Sequence, residues 1–253
     1  MSAHVIDAYT HCGLDKYEPI DRVREMMTHS GIDRAVLAQH LGQYDNRYIG
    51  SVVSEDPEHF AGVCHLDAAS PSAVEDLVKL SDTKLFRGLR LLSGSLHSAP
   101  ELWRRALELG FVIVAYAPNG IAADVDALKG LLDVNLGRRV VLTHLGNPTA
   151  GDGVAGKEYR RVFDLAAYSG VYFQVSGMKM FCPYPHTELY PLVAEVFDRF
   201  GASRLMWGSN YPVVGDEADV KKDLDLLLEG RLPIPDSAIR DVAYNNACKL
   251  WFS

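Results

Sequence analysis

A short apolar β-like run followed by a helix-like run recurs eight times along these 253 residues, and few folds accept that pattern. The strand-like runs are HVIDAYTH (4–11), RAVLAQH (34–40), AGVCHLD (61–67), FRGLRLL (86–92), FVIVAYA (111–117), RRVVLTHLG (138–146), VYFQVSG (171–177) and RLMWGSN (204–210). Each is short and rich in Val, Ile, Leu and Phe, as a strand covered on both faces of a parallel sheet must be. Between them lie helix-like segments. The first, PIDRVREMMTHSG (19–31), is opened by Pro19 and closed by Gly31. Others fall near 46–60, in SAVEDLVKL, APELWRRALELG, AADVDALKGLLD and KEYRRVFDLAAYSG, and near 187–200 and 217–229. A last helix, DSAIRDVAYNNACKLW, takes Asp236 or Ser237 as its N-cap. Strand ends recur every 25 to 33 residues, which matches an α/β chain folded as a single (β/α)8 TIM barrel over 1–253 with an additional C-terminal helix. An open doubly wound sheet would call for a GxGxxG turn after the first strand, and the sequence has none there.

The charge balance narrows the partners. With 25 Lys+Arg against 33 Asp+Glu the net charge is −8, and no basic run offers a surface for nucleic acid or an anionic membrane. Cys12, Cys64, Cys182 and Cys248 are scattered without CxxC spacing, so neither a zinc knuckle nor a redox pair is suggested. No basic stretch leading an apolar one marks the N-terminus, and no apolar run nears the roughly 20 residues of a membrane span. The expectation is a soluble, cytoplasmic protein with a small-molecule substrate; pairing into a homo-oligomer is compatible with the barrel, though no interface is identifiable.

Barrels of this kind carry their chemistry at the C-terminal ends of the strands. His11, His40, Asp67, Arg90, Tyr116, His144, Ser176 and Asn210 stand at or near those ends. The two-residue period of a strand sharpens the expectation. Asp7, Tyr9 and His11 would share one face, as would Val140, Leu142 and His144, and Met206, Gly208 and Asn210, each triplet pointing inward if its last member does.

Read together, several stretches resemble the amidohydrolase superfamily, in its amidohydrolase-2 branch. IDAYTH resembles the family's opening IDxHxH, VVLTHLGNP its sixth-strand histidine motif, LMWGSNYPV its eighth-strand GSDxP, and NNACKLW its closing helix. GLR at 88–90 and the spacing of FAGVCHLDAASPSA resemble the lactonase-like group. The resemblance implies a divalent metal held by strand-end histidines and an aspartate, which lowers the pKa of a bound water. This chain departs at each step: Tyr9 replaces the first histidine of the pair, Tyr116 stands where metal-dependent relatives have another, and Asn210 replaces the aspartate. An amide neither takes a proton at neutral pH nor binds metal as a carboxylate does. The favoured reading requires no cofactor; the alternative is one divalent metal, zinc or manganese, on His11 and His144, with Asp7 or Asp67 completing the set.

The candidate catalytic residues are therefore His11, His144 and Asn210, with Tyr9, Arg90, Tyr116, Asp67 and Ser176 as substrate contacts. A buried guanidinium needs a partner, and for Arg90 a substrate carboxylate and a salt bridge to Asp67 or another barrel acid are equal candidates. His40 and His65 read as structural, and Gln174 stands where the lactonase-like pattern tends to have lysine. The cluster Asp216, Glu217 and Asp219 reads as a helix cap. The implied reaction is opening of a small carboxylate-bearing lactone, or a related cyclic ester or amide, with His144 as base and His11 helping to polarise the carbonyl. Isomerisation, dehydration or decarboxylation in the same pocket is the alternative, and a non-catalytic small-molecule binder the third.

Overall fold

The computed structural model describes residues 4–148 and 156–253. Eight parallel strands follow one another around a single sheet in sequence order, β1 (Ile6–Thr10), β2 (Arg34–Ala38), β3 (Phe60–His65), β4 (Phe86–Leu92), β5 (Val112–Tyr116), β6 (Val140–Leu142), β7 (Val171–Ser176) and β8 (Leu205–Gly208). The helices that return the chain are α1 (Ile20–Ser30), α2 (Arg47–Glu55), α3 (Ala73–Thr83), α4 (Ser95–Ser98), α5 (Pro100–Glu108), α6 (Val125–Asp133), α7 (Tyr190–Phe200) and α8 (Glu217–Leu228). This is the (β/α)8 barrel. The return after β6 is a 3-10 helix at Tyr159–Ala167, where an α-helix was expected.

Two apolar layers hold it together. Ala35, Leu37, Leu89, Leu91, Val140 and Leu142 pack outward into the shell of helices. Inside the barrel, Val36, Val63, Val114, Val141 and Met206 form a second cluster, joined from below by Ala247, Leu250 and Trp251. The last helix is the plug of the barrel. It is not one helix but α9 (Asp236–Arg240), a π-helical turn over Asp241–Asn245, and α10 (Asn246–Trp251). Its N-cap is Pro235, with no side-chain bond from Asp236 or Ser237, so the expected cap is displaced by one residue. Gly88 makes room for the plug: a Cβ there would stand 2.9 Å from the Trp251 ring. Burying an indole of roughly 150–250 Å² at ~25 cal/mol per Å² is worth about 4–6 kcal/mol before entropy is counted.

Asp216 caps α8 as expected, its Oδ1 accepting from the Ala218 and Asp219 amides at 3.0 Å each. Among the described residues no helix is long and apolar enough to cross a membrane.

Candidate active site

The seam between β1 and β8 creates the floor of the barrel mouth. Just past the end of β8, Asn210 N–H donates to the Tyr9 carbonyl at 2.8 Å and His11 N–H donates to the Tyr211 carbonyl at 2.9 Å. Below them the Asp7 carboxylate accepts from Ser209 N–H at 2.8 Å, Ser209 O–H at 2.5 Å and Tyr9 N–H at 3.1 Å. Burial pushes the Asp7 pKa up to about 6 against these hydrogen bonds. Gly208 is required by the close approach, since a Cβ would lie 3.0 Å from the Tyr9 nitrogen. Asp7 is thus spent on closing the barrel.

The strand periodicity holds for β8 but fails for β1 and β6. In β1 the register shifts between Asp7 and Thr10, and Ile6, Ala8 and Tyr9 all join the interior cluster. In β6 it is Val141 that points inward, while Val140 and Leu142 face the helices. His144 still reaches the mouth because the chain leaves the strand after Leu142. His144, Leu145 and Asn147 take φ of 50°, 55° and 54°, a left-handed turn that swings the imidazole round.

Tyr9 is the centre of what these turns bring together. Its ring meets His11 edge-on at 4.9 Å and His144 edge-on at 5.2 Å. Tyr17 stacks on His11 at 5.0 Å and Tyr116 meets His144 at 5.7 Å. His11 Nδ1–H donates to the Ala38 carbonyl at 2.6 Å, which fixes its tautomer and leaves Nε2 with a lone pair while the ring is neutral. His144 Nδ1 lies 2.9 Å from Ser176 Oγ, which also accepts the His144 amide N–H at 3.3 Å. With its oxygen accepting from the backbone, the serine hydroxyl proton can be given to Nδ1, and Nε2 of His144 is then an N–H. Ser176 therefore holds the His144 ring from its Nδ1 side. Gly177 beside it must be glycine, with φ 61° and space for a Cβ only 2.7 Å from His144 Nδ1.

Arg90 rises from β4 into this ring of aromatics. It is 5% exposed. Its Nη1 donates to the Gln39 carbonyl at 2.9 Å, and its Nε has no partner among the described residues. The guanidinium carbon sits 5.6 Å from the Tyr9 ring centroid and 5.3 Å from that of Tyr116. The salt bridge weighed for it does not form, because Asp67 is elsewhere. That half-buried carboxylate accepts from the Ala69 amide and lines a cavity of about 960 Å³ between α2 and α3, with Tyr44, Arg47, Leu66 and Phe86. The cavity holds none of the mouth's imidazoles. The charge of Arg90 is felt instead by the histidines. Burial first, and the nearby guanidinium second, hold His144 down to about 3 and His11 well below its usual value. Both are neutral at pH 7. Tyr9 is pushed by burial up to about 12, with Arg90 opposing, and stays protonated.

Asn210 sits in the left-handed region at φ 56° and directs its Nδ2–H to Met180 Sδ at 3.3 Å. The amide also lies beside His11. Gln174 is fully buried and donates to the Ala8 carbonyl at 2.8 Å, a strut of the barrel wall. His65 Nδ1–H donates to the Arg90 carbonyl at 2.9 Å, and Asn46 clamps β3 through the His65 amide at 2.9 Å; the latter had no signal in the sequence. As donors for a divalent cation, His11 and His144 stand with a protonated phenol, a neutral amide and a guanidinium. Among the described residues no three His, Cys, Asp or Glu side chains converge. This falls short of the three ligands usual at a catalytic zinc, and an adjacent buried cation opposes a second one.

The chain is 31% identical over 199 residues to an L-fucono-1,5-lactonase of Burkholderia ambifaria, an alignment covering 74% of this chain and 68% of that protein. Among solved structures it is similar to a Pseudomonas putida protein named as a 2-pyrone-4,6-dicarboxylic acid hydrolase, with a TM-score of 0.78, 21% identity, and 99% and 98% of the two chains covered. It is similar also to an amidohydrolase from Burkholderia multivorans with zinc bound, at TM-score 0.77, 16% identity, and 98% and 99% covered. At those identities the structural likenesses establish the fold. The amidohydrolase family model matches residues 7–252, almost end to end, and the chain belongs to the amidohydrolase family, in its amidohydrolase-2 branch.

Proposed function

We propose that this chain hydrolyses a small lactone bearing a carboxylate, by imidazole acid–base chemistry and without a metal. The observation that carries the reading is Arg90, a buried guanidinium with no acidic partner among the described residues, set between two aromatic rings beside two neutral imidazoles. A carboxylate is its natural acceptor. The likeness to an L-fucono-1,5-lactonase supports ring opening as the reaction.

The steps follow from the hydrogen bonds. Arg90 grips the substrate carboxylate, which also offsets the positive charge that depresses both imidazoles and so raises their basicity on binding. His11 Nε2, held bare by the Nδ1–H bond to Ala38, takes a proton from water positioned by the Asn210 amide. The water oxygen bonds to the lactone carbonyl carbon, and His144 donates through Nε2–H to the oxyanion. The ring C–O bond then breaks, and the proton on His11 passes to the departing ring oxygen. One water is consumed. The roles of the histidines are thus exchanged relative to the sequence reading, because the tautomer of His11 leaves it no N–H to offer a carbonyl.

The test is turnover of five- and six-membered lactones, with and without a carboxylate, in water enriched in oxygen-18, followed by product mass. The reading expects carboxylate lactones to open with one heavy oxygen incorporated. Release of carbon dioxide or an isomeric product without heavy oxygen would replace hydrolysis with decarboxylation or isomerisation.

A further inference from the structure

We propose that Tyr9 is a catalytic hydrogen-bond donor whose hydroxyl holds the oxyanion that forms when water adds to the lactone carbonyl. The proposal rests on the hydrolase reading above and adds to it a residue at the position where the family's opening motif carries histidine.

The Tyr9 side chain is fully buried; its oxygen lies close to the Arg90 guanidinium, and its O–H finds no acceptor among the described residues. A buried O–H without an acceptor is unfavourable unless a ligand or water supplies one. Phenylalanine would fill the same space without that penalty. The hydroxyl is not alone. Arg90 Nε is likewise without a partner, and the two side chains are neighbours, the guanidinium lying over the tyrosine ring. Two donors side by side, flanked by the imidazoles of His11 and His144, describe a seat for an anion with two charged ends. Arg90 meets the carboxylate that is present throughout, and Tyr9 the charge that develops on the carbonyl oxygen.

The donor is held still, as oxyanion stabilisation requires. The ring is wedged edge-on between the two imidazoles, at interplanar angles of 78° and 86°, and Gly208 presses on its backbone from β8. It also remains a donor, because burial keeps the phenol protonated. No proton leaves Tyr9 in the cycle. The transferred proton travels from water to His11 and on to the ring oxygen, while the phenol O–H only shortens its hydrogen bond as negative charge accumulates.

Tyr9→Phe tests this without disturbing packing. Calorimetry would compare wild type and variant with benzoate, a plain carboxylate, and phosphonoacetate, which joins a carboxylate to a tetrahedral oxyanion. The expected result is benzoate binding unchanged within about twofold and phosphonoacetate weakened at least about tenfold, with kcat on the carboxylate lactone down about 100-fold and KM nearly constant. Equal binding of both anions by both proteins, or a change in KM alone, would overturn the donor role while leaving the hydrolase reading intact. Wild type that binds neither anion would overturn both. The predicted anion selectivity in a protein that opens no lactone would leave only an anion seat and overturn both the catalytic donor and the hydrolysis.

Discussion

Replacing Arg90 with methionine removes one charge and little volume, and its effect should depend on the charge of the substrate. Of the five N–H groups of a guanidinium, one at Nη1 is committed to the Gln39 carbonyl, and Nε is without a partner. A carboxylate can therefore take two parallel bonds, each worth about 1.5–3 kcal/mol as a charge-assisted hydrogen bond. Losing both removes about 3–6 kcal/mol, or roughly two to four powers of ten in kcat/KM, at 1.4 kcal/mol per factor of ten. A neutral lactone of the same ring should lose less than about threefold. Folding should move little. The variant leaves the Gln39 carbonyl without its donor, at about 1–3 kcal/mol, but relieves a buried cation that has no counter-ion among the described residues. Urea midpoints alongside the kinetics would confirm that the variant is folded. Arg90→Met lowering kcat/KM equally for charged and neutral lactones would refute the assignment of Arg90 to a substrate carboxylate.

Three further outcomes follow from the same geometry. Gly177→Ala forces an alanine to φ 61° and drives its Cβ into His144 Nδ1, so it should cost about 2–4 kcal/mol in urea denaturation and lower kcat about 100-fold; normal activity would remove His144 from the mechanism. Trp251→Ala unplugs the barrel floor and should cost about 3–5 kcal/mol while KM stays within about twofold, and a large KM change would show that the plug shapes the mouth. His144, held down to about 3 against an unfolded value of 6.5, contributes stability that is full above pH 6.5 and lost as pH falls towards 3. From pH 7 to pH 5 that loss is about 2 kcal/mol relative to His144→Asn, which cannot titrate, so the gap between wild type and variant should shift by that amount. An unchanged gap would mean the imidazole is not buried neutral. The comparison uses a variant because Asp7, raised to about 6, acts with the opposite sign, its contribution being full below 3.8 and lost as pH rises through 6.

Strand–helix alternation carried the architecture into plain view, because buried parallel strands must be apolar and their ends must be polar where the chemistry is. His11, Arg90, His144 and Asn210 stand among eight strand-end residues on that ground, the family resemblance draws attention to the histidines and Asn210, and the four lie together at the mouth. What the alternation could not reveal is backbone handedness. Strand parity through Val140 and Leu142 would turn His144 inward, yet those side chains face the helices, and the imidazole arrives by a left-handed turn. Only the glycine of HLGNP hinted at such a turn. Asp67 stands near a strand end in the sequence, but the loop after β3 turns it toward the cavity between α2 and α3. Tautomers were equally out of reach: the bonds from His11 to Ala38 and from His144 to Ser176 link residues 27 and 32 positions apart, and no local pattern announces them. Ser176 was singled out as a substrate contact, whereas its hydroxyl is engaged by His144.

Under the reading proposed above, this barrel runs acid–base chemistry on its own side chains, with tyrosine, asparagine and arginine in the mouth. The most direct test of that reading is elemental analysis paired with turnover, on protein grown with added zinc and manganese and washed free of loose ions. The expected result is far less than one metal per chain and lactone hydrolysis that a chelator leaves unchanged. About one metal per chain, with activity lost on its removal and restored on its return, would contradict it.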